Sequence, residues 1–95
     1  MTRVTMKSTE SEYFVSCEGH ATGSPETCSA ISTLIYTLLG YLKNSADVVI
    51  DIEEIADGYA EIIFSGGKCA EIAFEMIRIG FLQLAQAKSK FIEIF

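Results

Sequence analysis

The sequence predicts an α+β fold: one ββαββαβ domain over residues 1–95, a mixed sheet with two helices packed on one face. Three observations predict it. Short stretches near both ends and in the middle of the chain alternate apolar and polar residues, the period of half-buried strands. Two longer stretches repeat apolar residues every three or four positions, the period of helices. Turn signals separate them, and 49% hydrophobic residues in 95 suffice for one core and no more.

Residues 2–8 place Val4 and Met6 on one side and Arg3, Thr5 and Lys7 on the other, the pattern of a strand. The polar run Ser8–Glu12 then reads as a turn, and Tyr13–Gly19 as the returning strand of a hairpin. Ser24-Pro25-Glu26 is a helix start. Serine accepts from first-turn N–H groups, proline has no N–H to leave orphaned, and glutamate complements the positive end of the helix. Ile31, Leu34, Ile35, Leu38, Leu39 and Leu42 continue the helix from Pro25 to about Lys43.

Further along, Val48, Ile50 and Ile52 alternate with Asp51 and Glu53. Asp57-Gly58 signals a hairpin, with Tyr59–Ser65 as the partner strand. Gly66-Gly67 breaks the chain before a second helix at about Cys69–Lys88; Gly66-Gly67-Lys68 is too short for a phosphate loop. The polar stripe of this helix is thin, limited to Glu71, Glu75, Arg78 and Gln86. So apolar a circumference predicts burial on more than one side and, in a small domain, a subunit interface. Phe91–Phe95 closes the chain as a short strand. Strand order is left open.

Composition narrows the function. A net charge of −6 argues against direct nucleic acid binding, which leans on Lys and Arg, and favours a basic protein or peptide. No apolar run approaches the roughly 20 residues of a membrane span, so no membrane partner is expected. Residues 1–7 lack a signal-peptide core, and three cysteines without paired spacing suit reduced thiols. Both expectations point to the cytoplasm.

Chemistry is concentrated in Glu18-Gly-His20-Ala and Ser24-Pro-Glu-Thr-Cys28-Ser-Ala-Ile-Ser32. The one histidine of the chain lies seven intervening residues from a cysteine in the first turn of a helix. Such a helix end favours a thiolate, an imidazole can take the thiol proton, and first-turn N–H groups could hold an oxyanion. Ser32, one turn beyond Cys28, could orient a side chain or a water. Plainer readings stand beside this one. Cys28 also extends the apolar stripe of Ile31 and Ile35, and a histidine after a strand is commonly a surface residue. Cys17 lacks a basic neighbour in sequence, and both it and Cys69 read as packed thiols. Three cysteines and one histidine could in principle bind zinc. Yet Cys17 and His20, three apart, point to opposite faces of a regular strand, and no second close pair exists. No metal or other cofactor is expected.

Gly19-His20-Ala21 ending the second strand and Cys28-Ser-Ala-Ile-Ser32 opening an apolar helix resemble the bacterial ribosomal-processing cysteine proteases. The resemblance covers the whole ββαββαβ order. It implies a homodimeric, metal-independent endopeptidase that trims an N-terminal extension from large-subunit ribosomal protein twenty-seven. His20 is then the general base and Cys28 the nucleophile. Two features set this chain apart. The family has a longer, glycine-containing mobile loop between these residues, and commonly an aspartate where Pro25 stands here. Glu26 is the acid available to supply that charge. The alternative is a homologue that has lost its activity or changed its specificity and acts as a ribosome-associated binding module.

Overall fold

The computed structural model describes all residues, Met1–Phe95. Strands β1 (Thr2–Ser8) and β2 (Tyr13–Glu18) precede helix α1 (Pro25–Lys43). Strands β3 (Val48–Ala56) and β4 (Tyr59–Gly66), helix α2 (Lys68–Ala87) and strand β5 (Ile92–Ile94) follow. The α+β class and the element order are as expected, with ends moved by a residue or so. The strand order, which the sequence left open, is β3-β4-β2-β1-β5. All pairs are antiparallel except β1–β5, which makes the sheet mixed.

Alternate strand residues Val4, Val15, Cys17, Ala60, Ile62 and Phe64 form one core with Ile31, Ile35, Leu38 and Leu42 of α1 and Phe74, Ile77 and Phe81 of α2. Both helices therefore cover the same face. At Gly80 the helices come so close that a Cβ would stand 2.9 Å from Cδ2 of Leu34. The opposite face carries the intervening residues, among them Thr5, Ser16 and Glu61.

One regularity expected of the sequence fails. Ile50 opposes Phe64, Ile52 opposes Ile63, and Asp51 between them is the extra residue of a β-bulge. The alternation of Val48, Ile50 and Ile52 is therefore interrupted. Ile52 turns to the helix-free face, and Ile55, opposite Ala60, comes round to the helix side.

Helix α2 keeps apolar side chains on two sides. Ile72, Met76 and Ile79 form a bare stripe, at 46%, 67% and 47% exposure. Its other face packs on α1 and the sheet. No helix is long and apolar enough to cross a membrane.

Candidate active site

Helix α1 begins where the sequence placed it. The buried Ser24 hydroxyl caps the Thr27 N–H at 3.3 Å and lies 2.6 Å from the Thr27 hydroxyl, which is also buried. This pins the first turn and with it Cys28, a half-buried free thiol. The chain reaches that turn from β2 through Gly19, whose φ is +91°. A Cβ at Gly19 would stand 2.6 Å from the Met1 carbonyl oxygen, so this exit from the strand needs glycine on two counts.

The seven-residue connection brings His20 and Cys28 to the wall of one open cleft of about 300 Å³. Ile31 and Ile35 of α1 and the β3–β4 turn, Asp57-Gly58, complete its sides. Exposed Ser32 also lines the cleft. Cys17 lies beneath it, 5% exposed, and burial pushes its thiol up to about 12. That thiol is protonated and inert at neutral pH.

Within the cleft each candidate group has a neighbour of its own. The Cys28 thiol points at the Ala21 carbonyl, 3.7 Å away, which also accepts the Ser24 N–H at 3.0 Å. His20 Nε2 lies 3.7 Å from Oδ1 of Asp57. The imidazole rests on Gly58, where a Cβ would stand only 2.7 Å from Nε2. Gly58 has a φ of +71°, and its carbonyl accepts the Gly19 N–H at 2.8 Å, joining the turn to the residue before His20.

Glu26 faces away from this pairing. Its carboxyl is held below the usual range first by its own backbone N–H, then by the Ser24 hydroxyl, with Lys88 Nζ 3.4 Å away helping. The expected use of free first-turn N–H groups for an oxyanion needs correction. Pro25 has none, and the N–H groups of Thr27 and Cys28 donate to the Ser24 carbonyl at 3.1 and 3.2 Å. A carbonyl oxygen in the cleft would have to displace that acceptor.

Of the sequence candidates, His20, Cys28 and Ser32 line the cleft and Glu26 does not, while Asp57 and Gly58 were missed as neighbours of the histidine. Their Asp-Gly signature marked a turn. Only the pairing of β2 with β4, in which Glu18 opposes Tyr59, carries that turn to His20.

No protein-family model and no curated protein matches the chain. Solved structures do. The essential ribosomal processing protease Prp from S. aureus, in complex with a covalently linked product peptide, superposes with a TM-score of 0.79 at 14% identity, over 99% of this chain and 97% of that one. The same protease with a substrate peptide gives 0.76 at 12% identity, over 100% and 98%. The protein SMU.848 from Streptococcus mutans gives 0.73 at 24% identity, over 99% and 91%. The fold is therefore the one that the motifs implied, shared from end to end.

Proposed function

We propose that this chain is a cysteine endopeptidase of the ribosomal-processing type, with Cys28 as nucleophile and His20 as its proton partner. The observation that carries the reading is the shared cleft: the only histidine and a first-turn cysteine line one wall, on a fold that a peptide-processing protease also uses. His20 takes the Cys28 proton, and the thiolate adds to the carbonyl carbon of the scissile bond. As the C–N bond breaks, the imidazolium returns the proton to the departing amine. A thioester remains, and water activated by His20 hydrolyses it. In this reading Ser32, which lines the cleft, orients that water, and Glu26, paired with Lys88, supplies the acid beside the first turn.

The substrate in this reading is a basic large-subunit ribosomal protein with an N-terminal extension, drawn by a chain of net charge −6. The enzyme works in the cytoplasm as a homodimer through the bare stripe of α2, and uses no metal.

The test is to incubate the chain with a peptide spanning the extension junction of its host's ribosomal protein and read product masses. Wild type is expected to cleave and Cys28→Ser not to cleave. His20→Ala is expected to turn over about 100-fold more slowly or worse. Cleavage by Cys28→Ser at the wild-type rate would refute the assignment.

One observation favours a second reading, a binding module without turnover: the Thr27 and Cys28 N–H groups already have an acceptor in the Ser24 carbonyl. Peptide binding without cleavage, with Cys28 no more reactive than Cys69, would decide for it.

A further inference from the structure

We infer that Asp57 is a positioning residue for His20, and that Gly58 is its seat: the β3–β4 turn holds the imidazole so that one nitrogen, Nδ1, is left to serve Cys28. The inference rests on the proposed Cys28–His20 pair and adds a third member from a distant part of the chain.

The argument begins with the ring. Imidazole has two nitrogens, and in its neutral form one donates while the other accepts. Nε2 is the nitrogen that faces the turn, 3.7 Å from Oδ1 of Asp57. A carboxylate is acceptor only, so the nitrogen beside it carries the hydrogen. The lone pair is then on Nδ1, which becomes the atom able to take the thiol proton. When the Cys28 S–H proton moves to Nδ1, the ring becomes imidazolium and the sulfur thiolate. Asp57 remains ionised throughout and now faces a full positive charge. The 3.7 Å gap is longer than a hydrogen bond, and closes by less than about 1 Å to reach one. The Asp57 side chain is 99% exposed and free to make that movement.

Gly58 supports the same arrangement independently of charge. Ring atoms Nε2, Cδ2 and Cε1 would stand 2.7, 3.1 and 3.3 Å from a Cβ at this position, so any side chain would push the imidazole off its seat. The hydrogen bond from Gly19 N–H to the Gly58 carbonyl fixes the seat relative to the backbone that carries His20.

Asp57→Asn separates charge from structure, because asparagine suits the same two-residue turn. The rate of iodoacetamide alkylation at Cys28, read by peptide mass at neutral pH, is compared in wild type, Asp57→Asn, Asp57→Glu and His20→Ala. In parallel, ¹⁵N spectra of His20, the single histidine of the chain, report which ring nitrogen is protonated. Asp57→Asn is expected to slow alkylation about threefold to fivefold, the scale of an exposed ion pair. It should also raise the share of the Nδ1–H tautomer, and Asp57→Glu should restore both. An Asp57→Asn rate and tautomer equal to wild type, with His20→Ala slowed, would overturn the role of Asp57 and leave the catalytic pair intact. Unchanged alkylation in His20→Ala would overturn the pair itself and the inference with it.

Discussion

Single residues decide whether this cleft exists. Gly58 combines a positive φ with a close approach of the His20 ring, 2.7 Å from where a Cβ would stand, so Gly58→Ala meets backbone strain and a steric clash together. It is expected to lower stability by about 1–2 kcal/mol and to broaden or shift the His20 resonances, both readable by urea titration and NMR. Cys17 offers a pH signature. Burial raises its thiol from 9.0 to about 12, so above pH 9 the unfolded chain ionises while the folded chain does not. Stability contributed by this thiol is therefore full below pH 9 and declines as pH rises towards 12. Cys17→Ala should reduce the alkaline slope of the urea midpoint, leaving the part that Tyr59, also raised to about 12, contributes. Glu26 behaves in the opposite sense, because its carboxyl is held below 4.5. Its contribution is present at neutral pH and is lost as pH falls through the folded value, so the gap to Glu26→Gln should close in acid. His20 and Cys28 were legible in the sequence because histidine is unique and the helix start is written in adjacent residues. Asp57 was not, since nothing local links it to position 20.

Elements show the same division. The cap of α1 was readable from Ser24-Pro25 alone, and the structure adds that the Ser24 and Thr27 hydroxyls are buried against each other. Ser24→Ala leaves the Thr27 hydroxyl without its partner as well as removing the cap. It should cost about 1–2 kcal/mol, seen in a chemical melt. Strand β3 is where periodicity misled. A bulge at Asp51 adds one residue against β4, and everything after it changes face. The consequence reaches the cleft, because the shift is what brings Ile55 to its wall. Deleting Asp51 removes the extra residue but leaves Ile52 opposite Ile63 and Ile55 opposite Ala60, so the fold and the cleft wall should survive, readable by NMR. Bulges of this kind leave no clear mark on a pattern of valines, isoleucines and acids.

At the scale of the whole molecule, the apolar character of α2 was evident from sequence, but how much of it one sheet and one helix could cover was not. Phe74, Ile77 and Phe81 are buried, whereas Ile72, Met76 and Ile79 remain bare, and Ile72 and Met76 flank a groove with Tyr41 of α1. If this stripe is the subunit contact, Met76→Glu should leave the fold intact and yield monomers in sedimentation at micromolar concentration. A wild-type chain that is itself monomeric there would refute the contact. Fold class and element order were legible because each element declares its own period. Strand order was not, because it depends on pairings between residues far apart. That order has a kinetic consequence. Hairpins β1–β2 and β3–β4 are local and can zip within microseconds, but β2 meets β4 only across the whole of α1 and β3. The cleft straddles that late seam: His20 follows β2, and Asp57-Gly58 precedes β4. Neither hairpin alone contains a site. In a refolding experiment with pulsed thiol labelling, Cys17 should become protected in the same phase in which Cys28 becomes fast to label. Closing one seam would hide one sulfur and arm the other.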